Sequence, residues 1–156
     1  MHALETDLRN LANYDSLTGL LNRRAFIERV DYLLHIAQRE KQDFSILLVD
    51  LDDFKAINDQ YGHTIGDKVL KSFSNLVQSN LRKSDLACRF GGEEFAFFLP
   101  NKTCEAAVNF SERLHNLIRH TVIDNKGDAV QFTASIGVVS YFTLSTDNIE
   151  TLLHAA

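Results

Sequence analysis

The sequence predicts an α+β fold, one mainly antiparallel sheet with helices on its faces. Three observations lead there. The apolar run at residues 46–49 is short and continuous, as a buried strand is. Two more apolar stretches, residues 85–90 and 95–99, flank Gly91-Gly92, which reads as a hairpin turn. Between and around these strands run segments with apolar residues three and four apart, the spacing of a helix face.

Taken in order, residues 3–13 read as a helix with Leu4, Leu8 and Leu11 on one face. Residues 15–24 form a turn and a helix start. Gly19 breaks the first helix, and Asn22 caps the next, which runs to about Glu40 with Ile27, Val30, Leu33 and Leu34 as its buried face. The strand ending at Asp50 follows, then a helix near residues 53–59. Gly62 and Gly66 interrupt the pattern before a longer helix through Val69, Leu70, Phe73, Leu76 and Val77. Pro100-Asn101 closes the hairpin, and Thr103 or Asn101 caps a helix to about His120. Strands near residues 121–124 and 130–139 flank a turn at 125–128, and a last helix starts near Asp147.

At 156 residues a single domain is expected, large enough for a substantial core. A net charge of −5 argues against a nucleic-acid duplex as partner, because neutralising phosphates drives such binding. A small anionic nucleotide is compatible with it, since metal ions supply local positive charge. No apolar run approaches the roughly 20 residues that span a bilayer, so no membrane segment is expected here. Cys88 and Cys104 have neither metal-ligand spacing nor the look of a disulfide framework, which suggests a reducing cytoplasm.

Two acidic clusters carry the chemistry. The buried strand ends in Asp50, Asp52 and Asp53, and alternation puts Asp50 and Asp52 on one face of its end. The hairpin adds Glu93 and Glu94, adjacent acids that repel each other and that a turn does not require. Hard oxygen ligands from two such elements suit a divalent cation with a polyphosphate beside it. The competing reading makes Asp52 or Asp53 the N-cap of the following helix.

Four blocks stand in order along the chain. They are Asp15-Ser-Leu-Thr-Gly-Leu-Leu-Asn-Arg-Arg24; Asp50-Leu-Asp-Asp-Phe-Lys55 with Asn58-Asp59, Gly62-His63 and Gly66-Asp67; Arg89-Phe-Gly-Gly-Glu-Glu-Phe95; and Thr133-Ala-Ser-Ile-Gly-Val138. Together they resemble the GGDEF domain, the diguanylate cyclase module, in its Gly-Gly-Glu-Glu-Phe variant. The resemblance implies a palm-like nucleotide cyclase fold with the hairpin at the active edge, spanning residues 14–156, with residues 1–13 as a linker helix. It implies that two GTP molecules condense to cyclic di-GMP with release of two pyrophosphates, using Mg²⁺ or Mn²⁺, in a homodimer. Family members continue with a further helix and strand that carry a Lys and an Arg for the terminal phosphates. The chain stops at Leu152-Leu-His-Ala-Ala156, so those elements are expected to be missing.

Carried onto this sequence, the resemblance makes Asp50, Glu93 and the Leu51 carbonyl the metal ligands and Glu94 the proton acceptor, with the two glutamate roles exchangeable. Gly91 and Gly92 would admit phosphates close to the backbone, and Phe54 and Lys55 would bring an amide and a cation to them. Asn58, His63 and Asp67 are the nucleotide contacts. Asp67 can accept from the N1–H and N2 amine of guanine, a donor pair adenine lacks. Asn58 and Asp67 as helix caps, and His63 as a structural histidine, are the alternatives. Arg82-Lys-Ser-Asp85 matches the family's RxxD inhibitory product site, with Arg113 on the following helix as a second contact from the facing surface. The alternative there is an ordinary surface ion pair. For the whole chain the alternative is a module that binds cyclic di-GMP or GTP without catalysis. Asp15, Asn22 and Arg24 are read as structural.

Overall fold

The structure, a computed structural model, describes residues 2–140. Its elements run α1 (His2–Asn13), β1 (Leu21–Asn22), α2 (Arg23–Glu40), β2 (Phe44–Leu51), α3 (Phe54–Tyr61), α4 (His63–Asn80), β3 (Leu86–Arg89), β4 (Glu94–Pro100), α5 (Cys104–Arg119), β5 (Ile123–Asn125), β6 (Asp128–Val130) and β7 (Ala134–Ser140). The expected helix near Asp147 lies outside the described residues.

Five strands form one mixed sheet in the order β1-β3-β4-β2-β7. Every neighbouring pair is antiparallel except the short β1 beside β3. β2 is flanked by β4 and β7, and its side chains alternate between two cores. Leu47, Val49 and Leu51 face one side with Phe95, Phe97 and Leu99 of β4, beneath α3, α4 and α5. Phe44 and Ile46 face the other with Ala96 and Phe98, beneath α2. A strand covered on both faces needs apolar residues at nearly every position, which is why residues 46–49 form an unbroken run.

Phe73 of α4 anchors the larger core. Its ring meets Phe95 edge-on at 4.7 Å, and Phe97 and Phe132 at 6.5 Å. The caps follow the residues. Asn22 Oδ1 accepts the Ala25 N–H at 2.9 Å to start α2, and Thr103 Oγ1 accepts the Ala106 N–H at 3.2 Å to start α5. α2 also buries Ala25, Phe26 and Ala37, while Ile27 and Leu33 are only partly covered.

Several expectations need correction. Gly66 does not interrupt a helix: α4 begins at His63, and Gly66 is buried inside it. Asn58 and Asp67 lie within α3 and α4 and are not caps. Asp53 occupies the N-cap position of α3 with a left-handed φ of 52°, yet its side chain caps nothing, and Asp52 bonds elsewhere. The stretch expected as one strand over 130–139 is split, because β6 pairs with β5 in a separate two-stranded sheet and β7 joins the main one. α1 has no buried residue, and Leu4, Leu8 and Leu11 are all exposed.

Two measurements check this packing. Phe73→Ala should cost about 3–5 kcal/mol in chemical denaturation, the usual loss for a fully buried aromatic. Burial pushes the Cys88 thiol up to about 12, whereas Cys104 is exposed. A thiol reagent near neutral pH should therefore modify one cysteine in the folded protein and both after unfolding.

Candidate functional site

The register of β2 against β4 builds the site. Asp50 is paired directly with Glu94. One residue further, the Leu51 N–H donates to the Glu93 carbonyl at 3.1 Å. The hairpin acids are thus held against the last residues of the strand that ends in acids. On its other side β2 pairs Asp50 with Ser135 and Leu51 with Ala134.

Asp50 sits between two depressions. A shallow one of about 310 Å³ is lined by Asp50, Leu51, Asp52, Asp53, Phe54, Lys55, Glu93 and Ser135. A larger one of about 620 Å³ contains Asp50 and Glu94 with Arg23, Leu48, Phe90 and Gly137. Glu93 and Glu94 therefore line different depressions, which have Asp50 and Ser135 in common. Desolvation at the strand end, then the carboxylates of Glu93, Glu94 and Asp52, push the Asp50 carboxyl above its ordinary range. Like charges directly opposite across a sheet are destabilising, so this end of the fold carries uncompensated negative charge.

That charge fits a divalent cation. Among the described residues no three His, Cys, Asp or Glu side chains form a cage by themselves. The donor set available is two carboxylates, Asp50 and Glu93, with backbone oxygen at Leu51. Mg²⁺ accepts few protein ligands of this kind and completes its shell with water and phosphate.

The two hairpin glycines differ in their surroundings. Neither Gly91 nor Gly92 has a left-handed φ. A Cβ on Gly91 would come within 2.8 Å of Glu94 Oε2, so Gly91 makes room for that carboxylate. The Gly91 N–H is already spent on the Glu94 carbonyl at 3.1 Å, leaving Gly92 as the one with open space beside it. The tip is tethered from outside. Arg89 Nε donates to the Gly92 carbonyl at 3.0 Å, and its guanidinium meets Asp15 at 3.4 Å. Desolvation raises the Asp15 carboxyl, but hydrogen bonds from the Thr18 N–H and hydroxyl together with Arg89 hold it below its ordinary value.

Asn58 is half-buried, and its Oδ1 is wholly buried without a hydrogen-bond partner. It lies over Gly66, where a Cβ would fall 1.8 Å from that oxygen. A buried acceptor left unpaired is costly. His63 and Asp67 are exposed on the first turns of α4.

Arg82 and Asp85 form a tight local unit. The Asp85 carboxylate accepts the Arg82 backbone N–H at 2.8 Å and its guanidinium at 3.2 Å, while Arg82 Nη2 also reaches the Pro100 carbonyl at 2.8 Å. The Asp85 side chain is buried and Arg82 half-exposed. Desolvation, then Arg82, then Arg113 lower the pKa of Lys102, although Asp85 opposes them. Arg82 and Arg113 thus share one surface of a single chain, around the Phe110 ring that both Lys102 and Arg113 overlie.

Three contributors were given no role of their own in the sequence reading. Arg23 lies over the Phe90 ring at 4.3 Å beside the hairpin. Thr133 and Ser135 both bond Asp52. Only their spacing of two, at the start of β7, signals the latter.

A family model described as "Diguanylate cyclase, GGDEF domain" matches residues 12–156. Diguanylate cyclase DgcM of Escherichia coli K12 is 41% identical over 140 residues, covering 88% of this chain and 33% of that protein. Among solved structures, a sensory box/GGDEF family protein from Caulobacter crescentus CB15 superposes with a TM-score of 0.85 at 28% identity, covering 92% of each chain. The GGDEF domain of DgcB from the same species, solved in complex with c-di-GMP, has a TM-score of 0.84 at 25% identity, covering 92% of this chain and 86% of that one. The chain belongs to the GGDEF family. It spans about a third of the length of DgcM.

Asp50→Asn removes one member of a repelling cluster. The variant should be at least as stable as the parent without cation and should lose divalent-cation binding, read by thermal shift with and without Mn²⁺. A fold lost with the substitution would contradict this. Asp15 titrates below its ordinary value of 3.8 in the folded chain, so its contribution is present above that pH and lost as pH falls through the folded value. Asp15→Asn should therefore be less stable than the parent at pH 7, with the difference shrinking toward pH 3, as urea titrations at both pH values will show.

Proposed function

We propose that the chain is the catalytic domain of a diguanylate cyclase that condenses two GTP into cyclic di-GMP, releasing two pyrophosphates. The observation that carries this is the β2–β4 register, which brings Glu93 and Glu94 onto Asp50. A cyclisation of this kind must deprotonate a ribose 3′-hydroxyl and disperse charge on the α-phosphoryl group. When bound, Mg²⁺ or Mn²⁺ supplies Lewis-acid stabilisation of that charge. Asp50 and Glu93, with the Leu51 carbonyl, would hold the cation in the shallow depression. Phe54 and Lys55 line the same depression and offer an amide and a cation to the β- and γ-phosphates.

Glu94 faces the other depression and is assigned as proton acceptor for the attacking hydroxyl. The incoming ribose belongs to a second nucleotide, and a two-fold pair of domains supplies it most simply. Asn58 and Asp67 read guanine, the unpaired Asn58 Oδ1 being the acceptor that a base amine would satisfy. His63 lies beside them at the start of α4.

Arg82, Asp85 and Arg113 are proposed as the inhibitory product site. The cationic surface they share with Lys102 suits a ligand with two phosphates, and the exposed half of Arg82 offers a face for guanine. The reaction draws on cytoplasmic GTP, and no described helix is long and apolar enough to cross a membrane.

Chromatography of the full-length protein incubated with GTP and Mg²⁺ should show cyclic di-GMP, with activity per molecule falling on dilution. Cation-dependent GTP binding without product would instead identify a binding module. Calorimetry should favour GTP over ATP by on the order of a few kcal/mol, because adenine leaves the carboxylate acceptor unpaired. Arg82→Ala should weaken cyclic di-GMP binding and raise product accumulation with little change in initial rate.

A further inference from the structure

Asp52 lines the same depression as Asp50 and Glu93, and by residue type it is an equal candidate for the cation. Its bonds place it elsewhere. Oδ2 accepts the Thr133 hydroxyl at 2.7 Å and Oδ1 accepts the Ser135 hydroxyl at 2.7 Å. The Asp52 N–H donates to the Thr133 carbonyl at 2.9 Å. Both carboxylate oxygens are thus engaged by short, charge-assisted hydrogen bonds, one from Thr133 just before β7 and one from Ser135 within it.

We infer that Asp52 is a positioning residue: with Thr133 and Ser135 it clamps the end of β2 to the start of β7 and so fixes Asp50 and the Leu51 backbone for the cation.

The place of the clamp supports this. Thr133 and Ser135 straddle Ala134, the partner of Leu51, and Ser135 is itself the partner of Asp50. The clamp therefore closes over the last rung of the ladder, where β2 leaves the sheet for the left-handed turn at Asp53. On the opposite side that rung is held by the Leu51 N–H bond to the Glu93 carbonyl. Fastened on one side only, a strand end can pivot, and the carbonyl at its tip swings with it. The exposed hydroxyls of Thr133 and Ser135 have water available, so their bonds to Asp52 answer no burial requirement. Groups that orient metal ligands through hydrogen bonds without touching the ion commonly account for about 10–100-fold in metal affinity.

This rests on the proposed cation site, and the test separates the two. Mn²⁺ is titrated into the full-length protein with 3′-deoxy-GTP, which cannot condense, and free Mn²⁺ is read by electron paramagnetic resonance. The double variant Thr133→Val with Ser135→Ala keeps every carboxylate. It should bind Mn²⁺ at least about tenfold more weakly, with its urea midpoint recorded without cation. Ser135→Ala alone keeps the Thr133 bond and should fall between it and the parent. Ser135→Thr in place of Ser135→Ala should restore affinity. Parent affinity in both hydroxyl variants would overturn the inference, as would complete loss in Asp52→Asn with no change in Ser135→Ala, because that pattern marks a direct ligand. If the parent itself bound no Mn²⁺, the cation reading would fall and this inference with it.

Discussion

The β2–β4 ladder is the constraint on which the rest depends. From Phe44 against Pro100 to Asp50 against Glu94, its pairing runs without a bulge. A slip of one residue would turn every side chain to the wrong face and bury the acids where Phe95 and Val49 now pack. The register is fixed from within, because Phe95, Phe97 and Leu99 fit one core while Ala96 and Phe98 fit the other. Hydrophobic packing thereby sets the meeting of like charges at the strand end, a meeting those charges would not choose.

That arrangement stores an electrostatic cost, which the fold meets in stages. Asp15 is paired with Arg89 and Thr18, and Asp52 with two hydroxyls. Asp50, Glu93 and Glu94 have no such partner among the described contacts. The acids of this end therefore divide into those with hydrogen-bonding or ionic partners in the protein and those without. Asn58 repeats the pattern in a neutral group, with a buried oxygen lacking a donor.

The fold class, the doubly buried strand, the Asn22 and Thr103 caps and the position of the hairpin acids were legible in the sequence. Each is a local signal: an apolar run, a cap residue before a helical period, a pair of acids after glycines. What was not legible depends on contacts between distant segments. Gly66 looked like a helix breaker, yet it lies within α4 because the Asn58 side chain occupies the space a Cβ would need. Gly91-Gly92 read as a hairpin turn, and only the fold shows that Glu94 leans over Gly91. Asp52 looked like a cap or a ligand, and only the arrival of β7, some eighty positions later, shows where its oxygens go. The 130–139 stretch looked continuous because periodicity does not reveal which sheet a strand joins.

The tether between Asp15, Arg89 and the hairpin tip has one further consequence. Its ion pair is long, 3.4 Å, and each side chain keeps about a fifth of its surface in water. Such a pair contributes about 0.2–1 kcal/mol, close to thermal energy. Mobile ions within a Debye length of about 8 Å at physiological ionic strength weaken it further. The core strands are indifferent to dissolved salt, but the placement of the Gly92 carbonyl is not. The ionic composition of the surrounding solution thus reaches the acidic edge through the N-terminal turn, by a route that leaves the hydrophobic interior untouched.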